Sequence, residues 1–511
     1  MVPPARASSR SPALTPHSDN VIAAIDVGTN AVRLEIARVL PDGALETLHQ
    51  ERDPIRPGDG VFLSGRMAPE VEERLVWTMR RYAALCRRYR ARVRAVATSA
   101  IREAKNGRDV VRRVRGAAGI DLEVVSGREE ARLICLGVLQ GRPAHSRSVL
   151  LDIGGGSTEV ATAEGERPTS LWSVPLGAVR VTQIFGTSGR VSSSRLAALR
   201  SFAAEAFREA LPDYRRRSLP ALGSSGTIEA VVGFASRDKR ASRGDVSDAV
   251  EELAAMSVES RRKHFDPGRA EVVVAGAAVL EAAMRHLGLP AVTAVGTGLR
   301  NGILVELSRA GELPDGESAE ALVALGRRFG FDEPHATQVA RLALVLYDDL
   351  ARLHGLPPRA RLILQAAALL HDVGHAVSVH SHHKHTYYLV ANADLPGFTD
   401  RERELIALVA RYHRRSAPGR GRRDLEALTA SEFRTVRKLV ALLRVADALD
   451  RSHQQQVSAL RVSPGGSSVE LRVAARGPLD LELWDAAREA PLFQRVFSRR
   501  LSVAPPRLAR T

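Results

Sequence analysis

The chain has 511 residues, 44% hydrophobic and 26% charged, with two cysteines and a formal net charge of +16. That composition excludes a disordered or fibrous chain, a disulfide-stapled scaffold and a Cys-based zinc module, and it fits a reducing cytoplasm. No uncharged stretch reaches the roughly 18 residues that span a bilayer, so no membrane partner is expected.

Residues 1–19 are rich in Pro, Ser and Ala and lack an apolar segment, so they read as a disordered tail and not as a signal peptide. From residue 20 the pattern is strand, turn, strand: VIAAIDV, then Gly28-Thr29-Asn30, then VRLEIARV. Further strand-like runs at 93–98, 122–125, 148–153, 221–223 and 291–295 alternate with helical patterns such as 127–139 and 270–287. That alternation predicts an α/β architecture with a covered sheet. The run Asp26-Val-Gly-Thr-Asn30 recurs in form as Asp152-Ile-Gly-Gly-Gly-Ser-Thr-Glu159, which predicts a duplicated fold. Its two lobes, 20–140 and 141–311, are expected to face a cleft. ELPDGES (312–318) reads as a linker, and helical patterns from 319 to 451 predict an all-α domain over 319–455. Alternation returns in VSALRV, SSVELRVAA and LDLELW, giving a small α+β cap over 456–511.

An Asp at a strand end followed by glycines is a phosphate-handling device: backbone N–H groups approach phosphoryl oxygens, and the carboxylate can hold a cation. The turn at Asp26, Gly28, Thr29 and Asn30 is of a kind common in hairpins. Gly154, Gly155, Gly156 and Ser157, bracketed by Asp152 and Glu159, make a less ordinary turn. Gly223, Ser224, Ser225 and Gly226 before a helix, and Gly296-Thr297-Gly298, are further candidate anion nests. Ser126 and Glu129 have capping-box spacing, which explains Glu129. Glu130 points about 100° away round the helix. It is either a general base at the cleft or a surface partner of Arg128.

Seven segments occur in order over roughly residues 20–310: AIDVGTNAVRLEIA, VATSAIREA, VVSGREEARL, LLDIGGGSTEV, VPLGAVRVT, LGSSGTIEA and AVGTGLRNGIL. This succession resembles the exopolyphosphatase/guanosine pentaphosphate phosphatase (Ppx/GppA) family. The resemblance implies actin/Hsp70/sugar-kinase-like (ribonuclease H-like) lobes. It also implies release of the terminal phosphate from linear polyphosphate, or of the 5′ terminal phosphate from guanosine pentaphosphate. By the same resemblance, Glu130 deprotonates the attacking water and Arg102 clamps phosphoryl oxygens. Gly154, Gly155, Gly156 and Ser157 cradle phosphate, with Asp26, Thr29 and Asn30 facing them. Asp152 and Glu159 match acidic positions associated with Mg2+. The family's first loop usually reads D-x-G-S-N-S; here Thr29 keeps a hydroxyl and Ala31 does not.

In the second half, Leu369-Leu370-His371-Asp372 ends an apolar helix, with His335 upstream and Asp447 downstream. An HD pair alone is as readily a satisfied core histidine. The order His335, His371-Asp372, Asp447 resembles the HD phosphohydrolase superfamily, and imidazoles with carboxylates suit a divalent transition metal. His383, His385 and His413 are candidates for a second metal in this domain. HHKHTYYLV, ADLPGF and RYHRR resemble the C-terminal module of long exopolyphosphatases, which implies a homodimer.

Five Lys among 74 basic residues leave 69 Arg. The surplus suits a polyanion and is also what GC-rich codons produce. Aromatics at 4% and the lack of any recognition motif argue against a specific nucleic-acid partner. The leading reading is an exopolyphosphatase whose Arg-dense segments, residues 80–94 and 411–423, line a polyphosphate track. The others are a guanosine pentaphosphate phosphatase, and a polyphosphate- or alarmone-sensing module driving an HD metallohydrolase.

Overall fold

In the computed structural model, the described residues are 20–212, 219–308, 316–393, 395, 397–419 and 421–508. The expected 1–19 tail and most of the 312–318 linker lie outside them. The chain divides into two compact units, Met1–Arg309 and Ala310–Thr511.

The first unit holds two sheets. Strands β1 (Val21–Val27), β2 (Val32–Val39), β3 (Leu45–Asp53), β4 (Arg92–Ala97) and β5 (Leu122–Val124) run in the order β3-β2-β1-β4-β5. The second sheet contains β6 (Arg147–Ile153), β7 (Thr158–Glu164), β8 (Arg167–Val174), β9 (Ala221–Ser224), β10 (Arg240–Ser242) and β11 (Ala291–Ala294). Its order is β10-β11-β9-β6-β7-β8. Each sheet opens with a three-stranded antiparallel meander and adds two parallel strands beside its first strand. The path is therefore duplicated, with β10 as an extra antiparallel edge. This is the duplicated, two-lobed α/β fold expected from the repeated Asp-Gly turns.

Strand periodicity decides where the two turns point. Along β1, Ala23, Ile25 and Val27 enter one core with Leu75 and Met79, while Ile22 and Ala24 enter another with Leu133, Ile303 and Leu304. Asp26 shares the second face, because side chains alternate. Along β6, Val149, Leu151 and Ile153 face one core, and Leu150 faces Ile134, Cys135 and Val138. Asp152 shares the face of Leu150. Helix Gly127–Val138 thus lies between the two sheets, and both aspartates point to its side.

Helix Leu299–Ser308, read from sequence as the end of the second lobe, packs on the first sheet beside Ile22 and Ala24. It crosses helix Gly127–Val138 so closely that a Cβ on Gly302 would sit 1.7 Å from Leu133 O. A Cβ on Gly137 would sit 2.2 Å from Gly298 O. Arg132 fastens the crossing, with Nη2 2.9 Å from Glu306 Oε1.

The second unit is helical from 316 to 448, with helices that include Glu333–Asp349, Arg359–Leu370, His382–Ala391, Asp400–Arg411 and Ala430–Ala448. Strands β12 (Val457–Pro464), β13 (Ser468–Ala475) and β14 (Arg500–Leu508) then form a three-stranded sheet in that order. One hydrophobic core runs through helices and sheet together, from Leu322 to Phe497. LDLELW, read from sequence as strand alternation, instead starts helix Asp480–Phe497. Asp480 and Glu482 occupy its first turn, where the helix dipole favours carboxylates. Ala486, Phe493 and Phe497 are buried at helical spacing. Among the described residues, no helix is long and apolar enough to cross a membrane.

Candidate active site

The cleft between the lobes has a volume of about 290 Å³. It brings together Asp26, Gly28, Thr29 and Asn30 from the first turn and Asp152, Gly154, Gly155 and Ser157 from the second. Glu130 joins them, with Ser224, Ser225 and Gly226 at the start of helix Ser225–Ala235. The loop 296–298 and the first turn of helix Leu299–Ser308 complete the wall. Ser225 takes φ 84, a left-handed value that strains a non-glycine residue by about 1–3 kcal/mol. Two helix N-termini therefore open into one cavity, which favours an anion there.

Four expected site residues stand behind that wall. A Cβ on Gly156 would meet Ser99 Oγ at 2.4 Å, so this glycine lets the second lobe's turn press against the first lobe. A Cβ on Gly223 would meet Ile228 Cγ2 at 2.4 Å and Val292 Cγ2 at 2.9 Å, so Gly223 serves packing. Glu159 lies directly opposite Asp152 in the β6–β7 register and accepts from Ser173 Oγ at 2.8 Å. Arg102 donates through Nη1 to Val125 O at 2.7 Å and to Glu130 Oε2 at 3.2 Å.

Glu130 lies in the first turn of helix Gly127–Val138, buried, and its ion-pair partner is Arg102. Burial pushes its carboxyl up to about 8, against the pull of Arg102 and with Asp152 and Asp26 adding repulsion. Burial also raises Asp152 to about 6 and lifts Asp26 against Arg33. Glu159 is held well above the usual carboxylate range by burial, then by Glu130 and Asp152. Among the described residues, Asp26 Oδ1, Glu159 Oε2 and Ser157 Oγ are buried with no hydrogen-bond partner. Crowded carboxylates with oxygens left over form a donor set that suits a hard cation such as Mg2+.

Glu129 differs from its sequence reading. Its backbone N–H donates to Ser126 Oγ at 3.1 Å, which is half of a capping box. Its carboxylate goes instead to Arg132, at 2.7 and 2.8 Å, with Arg94 3.5 Å away.

Sequence reasoning missed the cleft's arginines. Arg33 Nη1 is 3.4 Å from Asp26 Oδ2, and these residues pair in the β1–β2 register, so the hairpin pattern held that signal. Arg300 Nε is 2.6 Å from Glu35 Oε2. Arg269 donates to Thr227 Oγ1 at 2.8 Å, and burial drives its guanidinium down to about 10, with Arg33 and Arg52 repelling it. Mutually repelling cations beside helix N-termini make a receptor for phosphate. Within the Arg-dense segments expected to line a track, several arginines are committed elsewhere: Arg81 pairs with Glu51 and Asp53, Arg94 with Glu123 and Glu306, and Arg411 with Asp424. A second chamber of about 670 Å³ adjoins the cleft and shares Arg33, Arg52 and Arg269 with it.

In the C-terminal unit, His335 Nε2 and His371 Nε2 each lie 3.4 Å from Asp447 Oδ1, and His371 Nε2 lies 3.6 Å from Asp372 Oδ2. Asp372 Oδ1 is 3.2 Å from His382 Nε2 and 3.3 Å from His413 Nε2. Of the three histidines first considered for a second metal, His413 is at this cluster. His383 and His385 are not among its ligand groups, and His382 takes their place. His382 shares a helix face with Thr386, whose Oγ1 donates to His371 O at 2.9 Å, and that contact sets which histidine turns inward.

Residues 36–310 match the model of the Ppx/GppA phosphatase family, and residues 319–478 match Ppx/GppA phosphatase domain III. An exopolyphosphatase-like protein of known structure is 26% identical, over 57% of this chain and 99% of that one, with a TM-score of 0.52. An exopolyphosphatase from Cytophaga hutchinsonii is 24% identical, over 56% of this chain and 97% of that one, with a TM-score of 0.52, and shares the fold. The chain belongs to the Ppx/GppA phosphatase family, whose members are phosphoanhydride hydrolases.

Proposed function

We propose that the cleft is an exopolyphosphatase site, releasing orthophosphate from the end of linear polyphosphate. The observation that carries this reading is the buried Glu130 carboxylate. It sits on the helix between the lobes, flanked by Asp26 and Asp152 and contacted by Arg102 at 3.2 Å. A carboxylate raised toward neutral pH is suited to general-base work. Glu130 orients a water and takes its proton as the water oxygen bonds to the terminal phosphorus. The bridging P–O bond breaks, and the shortened chain leaves with that oxygen. The Gly154–Ser157 turn and the starts of helices Ser225–Ala235 and Leu299–Ser308 hold phosphoryl oxygens, while Arg33 and Arg269 hold the rest of the polyanion. Asp152 and Glu159, with Asp26, would hold Mg2+. When bound, Mg2+ neutralises charge on the phosphoryl oxygens.

One observation favours guanosine pentaphosphate as a second reading. The adjoining chamber is lined by Phe234, His264 and Phe265, with the Phe234 and His264 rings 5.4 Å apart, an apolar wall suited to a nucleobase. The same family reading assigns a divalent transition metal to His335, His371, Asp372 and Asp447 of an HD-like domain, with a cytoplasmic homodimer as the working form. The experiment is phosphate release by the full chain from long polyphosphate and from guanosine pentaphosphate, with and without Mg2+. Mg2+-dependent turnover, faster on polyphosphate, is expected. Faster turnover of the pentaphosphate establishes the second reading, and activity on neither sinks both.

A further inference from the structure

The turn proposed to cradle phosphate is three glycines in a row, and such a run has no preferred conformation of its own. Contacts outside the turn must select one. They come from helix Ala178–Phe185 of the second lobe. Gly154 O accepts from Ala178 N at 3.0 Å, and Gly155 O accepts from Val179 N at 2.8 Å and from Arg180 N at 3.0 Å. Gly156 O accepts instead from a side chain, Arg180 Nε, at 2.7 Å. In a trans peptide the carbonyl and the N–H point in opposite directions. Holding these three carbonyls on the helix side turns the N–H groups of Gly155, Gly156 and Ser157 the other way, and Gly155 and Ser157 line the cleft.

The first two carbonyls are held by the backbone of their own lobe, but the third depends on a side chain wedged against the other lobe. Arg180 Nη2 lies 2.5 Å from Glu103 Oε1, and its guanidinium carbon lies 4.2 Å from the centre of the Phe62 ring. Glu103 ends helix Ser99–Glu103, one residue after Arg102, and Phe62 sits in the short helix Val61–Ser64. Phe62 also packs on Ala178, Val179 and Val272. A Cβ on Gly156 would lie 2.5 Å from Phe62 Cζ, so the turn itself presses on this ring. The Arg180 side chain is 14% exposed, so water does not readily replace a lost partner. Arg180 is not among the residues that line the cleft.

We infer that Arg180 is a positioning residue for phosphate release, which sets the Gly156–Ser157 peptide for anion binding only while the first lobe is closed against it. This rests on the phosphate reading of the cleft and adds to it a residue that does not touch the substrate. When the lobes part, Glu103 and Phe62 leave the guanidinium, Nε is free to swing from Gly156 O, and a glycine peptide turns over at little cost. Closure therefore aims the N–H donors as well as narrowing the cavity. A residue that merely stapled the lobes together would affect melting and leave the phosphate affinity of the folded protein alone.

The test measures orthophosphate binding to the full chain by calorimetry with Mg2+ present, alongside phosphate release from polyphosphate and a thermal melt. Arg180→Met is expected to weaken orthophosphate binding about tenfold, the usual worth of a hydrogen bond to a charged group, and to lower kcat/KM for polyphosphate at least as much. Arg180→Lys should restore little of either, because one ammonium lacks the fork that serves Gly156 O and Glu103 together. Glu103→Gln, on the other lobe, should weaken binding about threefold, the worth of a partly exposed ion pair, and should add nothing in the Arg180→Met background. Unchanged orthophosphate affinity in Arg180→Met, even at a lower melting temperature, makes Arg180 a staple and overturns the inference. Losses that multiply independently in the double variant overturn the coupling between lobes. If Arg180→Met does not fold, an unchanged affinity in Glu103→Gln is the overturning result. Binding is read without turnover, so a wild type that binds orthophosphate and leaves polyphosphate intact sinks the substrate reading while Arg180 is still tested. A wild type that binds no orthophosphate sinks both.

Discussion

Glu130→Gln is expected to lower kcat for phosphate release from polyphosphate by about 10²–10⁴-fold, the usual worth of a positioned general base. Glutamine keeps the shape of the side chain and can still accept from Arg102 Nη1, so only the proton acceptor is removed. Stability should hold or rise, because Asp26, Asp152 and Glu159 lose a buried neighbour that repels them. KM should move little, since the proposed phosphate contacts come from the glycine turns and arginines. Phosphate-release kinetics and a thermal melt check this, and a kcat within about threefold of wild type would remove Glu130 from the mechanism.

Arg102 gives the same hypothesis a pH signature. It pulls the Glu130 carboxyl down, against burial, from a position that still ends near 8. The base works only when ionised, so kcat/KM should fall as pH drops through that value. Arg102→Met removes the pull, and the acid limb should shift to higher pH. A limb that stays in place while kcat falls would make Arg102 a phosphate clamp alone.

Gly302→Ala is the second large effect. The added Cβ would lie 1.7 Å from Leu133 O and 2.6 Å from Leu133 C, and backbone atoms cannot turn aside as a flexible side chain does. Overpacking ordinarily costs about 1–3 kcal/mol, and a backbone clash sits at or above the top of that range. Relief requires helix Gly127–Val138 to move away from helix Leu299–Ser308, taking Glu130 with it. A displacement of about 1 Å at the reacting groups is worth roughly 10²-fold in rate. Denaturant unfolding should show a lower midpoint and the folded variant a lower kcat. An unchanged midpoint would show that the crossing relaxes at no cost.

Much of the cleft was legible in sequence because its parts are local. An Asp two residues before a glycine turn, and a Ser that starts a helix, are written in neighbouring residues, and they give Asp26, Asp152 and the place of Glu130. What escaped depends on contacts distant in the chain. Arg269, on a helix of the second lobe, matters because Arg33 and Arg52 reach it from the first sheet, and Glu129, where spacing suggested a cap, is drawn to Arg94 of the first sheet as well as to Arg132 one turn away. His382 was passed over for His383 and His385 because composition marks a histidine cluster without saying which member faces inward; Thr386 against His371 decides that. The helix at Asp480 was misread because LDLELW alternates like a strand over six residues, and only its burial against the following turns reveals the longer period.

The helix Leu299–Ser308 that returns to the first sheet makes the second lobe an insertion within the first. Two connections join the lobes, one between Leu139 and Arg147 and the other from Val295 to Leu299. A single proteolytic nick in either would leave them tethered by the other. Two connections would confine any parting of the lobes to a swing about the line through both. The loop 296–298 lies on that line and also in the wall of the cleft. Any swing of one lobe on the other would thus reshape the cleft wall itself, coupling opening of the cleft to the surface proposed to hold phosphate.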